Sequence, residues 1–369
     1  MSKIKRKILV VGQTPPPYHG QAIMIEEMLK VNYNRISLYH VRMAFSKDLD
    51  AIGRFNVRKV FHLFMVIIQI LYKRFRYSIP VLYFPPTGPK LIAFYRDAIV
   101  LTITRPFFKK VCFHFHAAGI SELYPSLDAF SKFIFRKAYF SADLGIRLSQ
   151  HSTDDCLPLQ IKKQAIIPYG IEDHFNTRRT NPGRSTKCRL LFVGLLTESK
   201  GIKILLEACH SLKARGIDFA LDVLGKFESA KFEKELRDIV RVLFLNENIH
   251  FHGVVTGEHK YLFYLNSDVF CFPSFYEAES FPVVLLEACS FGLPIVSTRW
   301  RGIPSIVTHR DNGFLCSIKD AQQVAAYLED LILNSDLRRE MGARGRSLFL
   351  KNFTLQSYYR NIENSLLTI

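Results

Sequence analysis

The sequence predicts an α/β protein made of two Rossmann-like β/α/β domains. Three observations lead to this fold class. The chain has 369 residues, more than the size at which one hydrophobic core keeps growing. Short apolar segments of strand length alternate with helical patterns, which is typical of parallel sheets covered on both faces. A polar stretch at 172–187, rich in Asn, Thr, Arg, Pro and Gly, contains no apolar strand and separates two such series.

The first series defines a predicted N-terminal domain, residues 1–175. Its apolar runs, such as KILVVG at 7–12, are rich in β-branched residues and are bounded by Gly, Pro or polar residues. Longer stretches with helical periodicity lie between them. We predict strands at 7–12, 37–41, 81–84, 111–116, 144–149 and 165–168, and helices near 21–31, 55–75, 90–105, 127–140 and 151–157.

The second series defines a predicted C-terminal domain, residues 186–350, by the same alternation. We predict strands at 189–194, 219–225, 249–253, 268–273, 294–298 and 313–316, and helices near 201–215, 229–245, 258–266, 282–291, 320–333 and 335–350. In open α/β sheets, ligands bind beyond the carboxyl ends of the strands. We therefore expect the loops after the strands of both domains to face a shared central cleft.

The net charge of +17 is concentrated in the first half of the chain. Residues 1–175 contain 25 Lys and Arg against 12 Asp and Glu, whereas residues 176–369 contain 25 against 21. A basic half attracts nucleic acid, an anionic membrane surface or a phosphorylated substrate, and charge alone does not choose among them. Because the chain lacks the aromatic and glycine pattern of a known nucleic-acid reader, we expect no nucleic-acid partner.

The segment Val60–Tyr72 is the most apolar part of the chain, and it has two interpretations. It is too short to span a membrane, which takes roughly 20 apolar residues. Basic residues flank it on both sides (Arg54, Arg58, Lys59, Lys73, Arg74 and Arg76). This pattern fits either a buried core helix or a helix that lies in a membrane interface, with its cations at the head groups.

The seven cysteines are scattered along the chain, and no two of them are closely spaced. Most of them lie in apolar stretches. This distribution predicts reduced, buried thiols in a cytosolic protein and no zinc site. The N-terminal apolar run is only ILVV and is followed by Gly12, so we interpret it as the first strand and not as a signal peptide.

The most informative motif is PSFYEAESFPVVLLEACSFGLPIVST at 273–298. We predict a helix that begins between Phe281 and Val283, with Ser280 as its cap and Pro282 in its first turn. The free amides and positive dipole of a helix start suit a diphosphate. Glu287 would then accept two vicinal ribose hydroxyls, and Glu279 a hydroxyl of a transferred sugar.

This stretch resembles the signature of retaining glycosyltransferases of family 4, which have the GT-B fold and in which two glutamates flank seven residues. The segment FVGLLTESKGIKILLEA at 192–208 resembles the family's first donor-domain loop, which implies that Lys200, after Gly194, holds the donor phosphates. The run at 249–274 is similar to the family's segment that starts at the base-contacting loop, here at Val254. RGIPSIVTHRDNGFLC at 301–316 resembles its closing segment.

The N-terminal domain also resembles the family. In GQTPPPYHGQA at 12–22, Gly20 would let the backbone approach the donor phosphates. In VCFHFHAAGI at 111–120, His116 is at the family's place for a histidine near the transferred sugar, and His114, with the same strand parity, competes with it. The resemblance further implies that a helix around 353–367 crosses back to this domain.

Three positions depart from the family pattern. Leu195 replaces an arginine that pairs with the lysine on the diphosphate, so another residue, such as Arg299 or Arg301, has to substitute for it. Tyr169 replaces an asparagine, and Pro282 replaces a common glycine.

The resemblance implies a metal-independent enzyme without a cofactor that transfers a sugar, with retention, from a nucleotide-diphosphate sugar to a saccharide or lipid-linked acceptor. It implies a role in cell-envelope polysaccharide synthesis, in the cytoplasm or at the inner face of the membrane. The basic N-terminal domain would bind the acceptor and an anionic membrane surface. Two alternatives stay open: a nucleotide-sugar-binding subunit without activity, and a two-Rossmann epimerase that acts on the same donors.

Overall fold

The structure is a computed structural model, and it describes residues 5–16, 20–43, 57–175 and 187–369. Most of the predicted linker at 172–187 lies outside the described residues, as does Arg54. The chain divides into two compact units, each described here by itself. The first unit contains the described residues up to Tyr169 together with Gln356–Ile369, and the second extends from Gly170 to Leu355.

The first unit is built on a parallel sheet of six strands, in the order β2-β1-β3-β4-β5-β6. Strand β1 lies in the interior of the sheet, as its continuous apolar ILVV segment requires. All four residues of this segment are completely buried. Its Leu9 pairs with Tyr39 of β2 on one side and with Leu82 of β3 on the other. The strands are β1 (Arg6–Gly12), β2 (Ile36–Arg42), β3 (Val81–Phe84), β4 (Lys110–Phe115), β5 (Leu144–Arg147) and β6 (Gln164–Ile166).

Five helices cover this sheet: α1 (Gly20–Lys30), α2 (Val57–Arg76), α3 (Leu91–Thr104), α4 (Ala129–Tyr139) and α11 (Leu355–Leu366). Helices α2, α3 and α4 contribute to one hydrophobic core cluster with the strands, through residues such as Ile70, Phe94 and Phe135. They therefore cover the same face of the sheet. A buried core of this kind is what allows a parallel sheet to be stable in water.

The C-terminal helix α11 packs on the first unit through polar contacts. The Arg6 guanidinium donates hydrogen bonds to the carbonyl oxygens of Leu366 and Leu367, at 3.2 and 3.0 Å. The Tyr359 hydroxyl donates to Glu27 of α1 at 3.0 Å. These bonds join the end of the chain to its first strand and first helix.

The predicted helix at 151–157 is wrong, because this segment forms turns. The Asp154 carboxylate accepts hydrogen bonds from the backbone N–H groups of Cys156 and Leu157, at 3.0 and 3.3 Å. Such local bonds compete with helix formation. Pro158, next along the chain, has no N–H to donate to a helical ladder.

Helix α2 contains the apolar segment Val60–Tyr72, which the sequence left open as either a core helix or a membrane-interface helix. One side contributes Val66, Ile67 and Ile70 to the core, whereas Phe64 and Phe75 on the other side are 60% and 59% exposed. The segment is thus both a core helix and an exposed apolar surface. Within the described residues, no helix combines the length and the apolar character that a membrane crossing requires.

The second unit has its own parallel sheet, in the order β12-β11-β10-β7-β8-β9. Its strands are β7 (Cys188–Val193), β8 (Phe219–Leu224), β9 (Ile249–Gly253), β10 (Val269–Phe272), β11 (Ile295–Thr298) and β12 (Gly313–Cys316). Its helices are α5 (Ile202–Ala214), α6 (Ala230–Val242), α7 (Gly257–Leu265), α8 (Val283–Ser290), α9 (Ala321–Leu333) and α10 (Ser335–Asn352).

All seven cysteines of the chain are buried free thiols, as predicted.

Candidate functional site

Lys200 is brought to the carboxyl edge of the second sheet by a tight turn after β7. A single 3-10 turn, Glu198–Lys200, ends at Gly201, whose φ of +83° is a left-handed conformation that favours glycine. A Cβ atom at Gly201 would overlap the carbonyl oxygen of Pro273. Only glycine therefore lets this turn pack directly against the loop that follows β10.

Lys200 and Glu279 form a mostly buried ion pair. The Lys200 Nζ lies 2.5 Å from Glu279 Oε2, and the two side chains are 17% and 8% exposed. The Ser274 hydroxyl donates to the same carboxylate oxygen at 2.8 Å. The Lys200 ammonium also lies 4.4 Å from the ring centroid of Tyr276, within the range of a cation–π interaction. The structure therefore joins two predicted site residues and adds Ser274 and Tyr276.

The loop that carries Glu279 is held by backbone contacts from two directions. The Phe275 N–H donates to the carbonyl oxygen of Ser199 at 2.8 Å. The Gly302 N–H donates to the carbonyl oxygen of Glu279 at 3.3 Å, and a Cβ at Gly302 would overlap the backbone of Ser280. The glycine of the segment RGIPSIV thus lets the segment after β11 approach the loop closely, and this approach positions Glu279.

Helix α8 begins at Val283, at the late end of the predicted range. The expectation that Ser280 is the cap residue is wrong: Pro282 occupies the cap position with an extended backbone, and its own side chain makes no capping hydrogen bond. Proline has no N–H of its own, and its ring restricts the residue before it to extended conformations. The first N–H groups, at Val283 and Val284, have no intrahelical acceptor. They can donate to an anion.

Glu287 lies inside α8 and is held by two side chains of α7. The Lys260 Nζ lies 2.5 Å from Glu287 Oε1, and the Tyr264 hydroxyl donates to Oε2 at 2.8 Å. Burial, followed by the nearby Glu287 carboxylate, raises the pKa of Tyr264, which therefore stays a neutral donor. Neither Lys260 nor Tyr264 was selected from the sequence. Their spacing of four residues puts both on one face of α7, and this spacing could have indicated that they act together.

Other predicted donor residues lie at the same edge of the second sheet. Gly194 directly follows β7, and its carbonyl oxygen approaches Gly225 so closely that a Cβ there would overlap it. Val254 directly follows β9 and is exposed. Leu195 is 42% exposed, so an arginine at that position would reach solvent. Arg299 and Arg301 were the two residues proposed to supply the charge of the missing arginine. The Arg301 guanidinium lies over the Trp300 ring, 5.4 Å from its centroid.

In the first unit, Gly20 and His116 both lie near Tyr169. Gly20 is the first residue of α1, and a Cβ there would lie 3.7 Å from the Tyr169 ring. Nδ1 of His116 lies 2.7 Å from the Tyr169 hydroxyl, and the two rings stack. Tyr169, at the position where the family often has asparagine, is thus the partner that orients His116.

His114 is the structural member of the histidine pair. Its ring stacks on that of His116 with the centroids 4.0 Å apart, but it is fully buried and cannot touch a substrate. Its Nδ1 lies 2.5 Å from the Tyr83 hydroxyl, which is a donor at neutral pH. Burial lowers the pKa of His114 to about 3, so the ring is neutral at physiological pH.

We expect His114 to make the protein less stable in mild acid. Its pKa in the unfolded chain is about 6.5, so the unfolded state binds one more proton than the folded state between pH 6.5 and about 3. The free energy of unfolding is thus highest above pH 6.5 and falls through that interval, by up to about 1.4 kcal/mol per pH unit from this group. Urea denaturation of the wild type and of His114→Asn, at pH 7 and pH 5, measures the effect. An equal loss of stability in both proteins would contradict it.

The predicted residues thus fall into two groups. Lys200, Glu279, the start of α8 and Glu287 are linked within one unit, by an ion pair and by one continuous loop and helix. Gly20 and His116 belong to the other unit. Among the described residues there is no cluster of three or more His, Cys, Asp or Glu side chains that could hold a metal ion.

Comparison with known proteins supplies a family for the second unit. Residues 173–348 match the family model of glycosyl transferases group 1. The putative colanic acid biosynthesis glycosyltransferase WcaL of Salmonella typhimurium is 30% identical over 213 residues, covering 56% of this chain and 52% of the relative. The amylovoran biosynthesis glycosyltransferase AmsK of Erwinia amylovora is 31% identical over 171 residues, or 45% of this chain and 41% of the relative. The chain spans about half the length of the curated relatives it matches.

Solved structures show the same fold over almost the whole chain. The structure of HepE from Anabaena in complex with UDP has a TM-score of 0.74 at 17% identity, and the match covers 98% of this chain and 100% of HepE. HepE has also been solved with UDP-glucose, with a TM-score of 0.71, 16% identity and the same coverage. Together with the two parallel six-stranded sheets, these likenesses confirm the predicted α/β fold class, that of the GT-B glycosyltransferases.

Proposed function

Residues 173–348 match the glycosyl transferases group 1, and from this premise we propose that the chain transfers a glycosyl group from a nucleotide-diphosphate sugar to a hydroxyl acceptor. The observation that carries the proposal is the buried Lys200–Glu279 pair, which directly precedes a helix start without a side-chain cap. A cation beside the first N–H groups of a helix, which have no intrahelical acceptor, suits a diphosphate. The binding of UDP and UDP-glucose by HepE, a protein of the same fold, supports this type of donor.

Each side chain at the edge of the second sheet has a role in holding this donor. The Lys200 ammonium and the N–H groups around Phe281, Pro282 and Val283 receive the diphosphate, with Gly194 allowing close approach of the backbone. Proline itself lacks an N–H, so the donors at this start are those of its neighbours. The exposed loop at Val254 contacts the base.

Glu287 and Glu279 accept hydroxyl groups of the donor. One carboxylate can accept hydrogen bonds from the two vicinal hydroxyls of a ribose, and Lys260 and Tyr264 hold Glu287 in a fixed orientation for this purpose. Glu279, held by Lys200 and Ser274, accepts a hydroxyl of the transferred sugar. We do not assign it as a covalent nucleophile, because positioning of the sugar explains its place equally well.

The chemical step is attack of an acceptor hydroxyl on the anomeric carbon while the bond to the nucleoside diphosphate breaks. Negative charge accumulates on the leaving phosphate oxygen, where Lys200 and the helix-start amides stabilise it. We propose that the anomeric configuration is retained and that the reaction needs neither a metal nor a cofactor. In the first unit, we propose that Gly20 allows the backbone to approach the donor phosphates. We also propose that His116, oriented by Tyr169, lies near the transferred sugar.

The acceptor is proposed to be a saccharide or lipid-linked saccharide of the cell envelope, bound by the first unit. Relatives named for colanic acid, amylovoran and capsular polysaccharide synthesis support this class of product. The corresponding location is the cytoplasm, at the inner face of the membrane.

The first unit offers a surface for such a membrane. Helices α2, α3 and α4 expose apolar side chains on their outer sides: Phe61, Phe64, Ile68, Tyr72 and Phe75; Ile92, Tyr95, Ile99 and Ile103; Phe130 and Phe133. We call this set the outer helical face. Helices α2 and α4 contain no Asp or Glu, and the single acid of α3, Asp97, is buried. An apolar face with basic flanks, on helices that expose no acid of their own, suits an anionic bilayer. The exposed Asp128, which caps α4, lies at the border of this face.

Leu195→Arg is expected to strengthen donor binding. An arginine at this position, where many relatives have one, adds a second cation for the diphosphate. Because the position is 42% exposed, solvent weakens the new charged hydrogen bond. We therefore expect the Kd for the donor to fall about fivefold. Calorimetric titration with the nucleoside diphosphate measures the change, and Leu195→Gln is the neutral control. Unchanged affinity in Leu195→Arg would place the phosphates away from this loop.

The function is tested first by a screen of nucleotide sugars for thermal protection, since a ligand that binds only the folded state stabilises it. The preferred donor, radiolabelled, is then incubated with lipid-linked saccharides, and transferred label is counted. We expect transfer with the wild type and none without acceptor. Protection without transfer or hydrolysis would favour a non-catalytic subunit, which the loss of arginine at Leu195 makes the second candidate.

A further inference from the structure

A polar cavity lies in the first unit, lined by none of the residues proposed to bind the donor. It has a volume of about 400 Å³. The residues that line it come from the end of α3 and the segment after it, the end of α4, and the strand starts of β4 to β6. Its charged members are Arg105, Lys109, Lys110, Lys137, Lys162 and Asp143. We call this the basic pocket.

The basic pocket carries a net charge of +4, from five cations and one carboxylate. Asp143 is shared by Lys110 and Lys162, whose ammonium groups lie 3.1 and 3.0 Å from Oδ1. Burial acts to raise the pKa of Asp143, but the Val111 N–H and these two lysines hold it below its usual value, so the carboxylate is ionised. It neutralises one of the two lysines.

The remaining cations of the pocket form no ion pair with a carboxylate of the described residues. Arg105 donates to the carbonyl oxygens of Ala138 and Phe140, at 2.9 and 2.6 Å, and so caps the end of α4. Asp143 also acts on the Arg105 charge at longer range, but the two lysines already share this carboxylate. In the described part of the chain, no carboxylate lies within ion-pair distance of Lys109 or Lys137. An excess of cations around a concave site is unfavourable by itself and favours a bound anion.

The pocket lies at the opposite edge of the sheet from the proposed catalytic histidine. Lys110 is the first residue of β4, and His116 follows its last residue. Six strand residues separate them by about 20 Å, at roughly 3.3 Å per residue. The basic pocket is thus not part of the site that holds the transferred sugar.

The pocket borders the outer helical face. Phe107, between α3 and the pocket-lining Phe108, is 44% exposed and packs edge-on against the exposed Phe75 of α2, with the ring centroids 5.7 Å apart. On α4, the Lys137 ammonium lies 5.7 Å from the ring centroid of the exposed Phe133. Apolar rings directly beside a basic cavity match the two ends of a phospholipid, its acyl chains and its head group.

We propose that the basic pocket binds the phosphate of an anionic lipid head group, while the outer helical face contacts the acyl region of the same bilayer. This inference deepens the membrane contact proposed above and rests on it, but it requires no transferase activity. The pocket fixes the depth and orientation of the first unit on the membrane. Lys109, Lys137 and Lys162 supply ammonium groups for the phosphate, and Arg105 lines the wall of the pocket.

The test compares two triple variants of the full chain in flotation with phosphatidylcholine vesicles, with and without phosphatidic acid. The pocket variant is Lys109→Ala, Lys137→Ala and Lys162→Ala. Each basic residue near an anionic surface contributes about a fivefold factor in membrane partitioning, so we expect roughly a hundredfold weaker binding to the phosphatidic acid vesicles. A variant with arginine at the same three positions is expected to bind like the wild type.

The control variant removes the same charge from exposed lysines of the second unit, by Lys231→Ala, Lys234→Ala and Lys351→Ala. It is expected to bind like the wild type, within about twofold, since these lysines belong to neither the basic pocket nor the outer helical face. Equal binding by the pocket and control variants would overturn the proposal. All proteins are checked by thermal melting and by donor protection, so that failure of lipid binding is distinguished from failure of the proposed transferase function.

Two further arms identify the source of the phosphate. Soluble short-chain phosphatidic acid is expected to bind the wild type saturably and to lose affinity in the pocket variant. The pair Phe64→Ser and Phe133→Ser is expected to weaken vesicle binding while inorganic phosphate binding is unchanged. Inorganic phosphate that binds the pocket as tightly as the short-chain lipid, with no vesicle binding by the wild type, would assign a free phosphate and refute the lipid.

Discussion

Lys200→Ala is expected to weaken donor binding by roughly a hundredfold and to lower kcat by about a further hundredfold. The first loss follows from removal of the cation that meets the diphosphate, and the second from loss of a charge that stabilises the leaving phosphate. The fold is expected to survive, because Ser274 still donates to Glu279 after the lysine is removed. Titration calorimetry with the nucleoside diphosphate and single-turnover transfer measure the two effects separately.

Lys203→Ala is the matched control for this experiment. Lys203 is one helical turn away and pairs with Glu235 at 2.6 Å, outside the proposed site. It is expected to leave Kd and kcat within about twofold of the wild type, since exposed ion pairs contribute little. Equal loss in both variants would indicate a general effect of positive charge, and no loss in Lys200→Ala would remove this lysine from the site.

Glu287→Gln is expected to have the second largest effect, also roughly a hundredfold weaker donor binding. The amide can still accept from Tyr264, but it loses the charged acceptor for the ribose hydroxyls and leaves the Lys260 ammonium without its anion. Charged hydrogen bonds of about 1.5–3 kcal/mol account for this loss. Calorimetric titration with the nucleoside diphosphate gives the Kd of each protein.

A dideoxy ligand identifies the ribose as the group that Glu287 binds. If the carboxylate accepts the two ribose hydroxyls, a 2′,3′-dideoxynucleoside diphosphate binds the wild type and Glu287→Gln with similar, weak affinity, because the interaction is absent in both. Glu235→Gln is the control for the loss of one paired carboxylate in this unit. A hundredfold difference that persists with the dideoxy ligand would mean that Glu287 acts through Lys260 or through the fold.

Lys200, Glu279 and Glu287 were predicted from the resemblance of the segments 192–208 and 273–298 to family motifs, because two acids eight residues apart are weak evidence by themselves. Their roles in binding the donor stay predictions. The sequence could not show that Lys200 pairs with Glu279, since that contact depends on the left-handed turn at Gly201 fitting against Pro273. The roles of Lys260 and Tyr264 were missed for a related reason. A helix face can be predicted from spacing, but the helix against which it packs is set by the tertiary fold.

The errors in local structure have specific physical causes. A serine before a helix motif is a good cap in general, but Pro282 shifted the cap position two residues along the chain, past Ser280. The turn around Asp154 replaced a predicted helix because a carboxylate competed for the backbone N–H groups. The strand parity that grouped His114 with His116 was informative, since their rings stack, but parity could not show which of them is fully buried.

The central claim is that the second unit holds a nucleoside diphosphate at the start of α8, and a crystal structure with the preferred nucleotide tests it most directly. We predict that diphosphate oxygens lie within about 3 Å of the Lys200 ammonium and of the N–H of Val283 or Val284. Both ribose hydroxyls are predicted to donate to Glu287. A nucleotide bound elsewhere, or one whose ribose contacts neither oxygen of Glu287, would contradict the account.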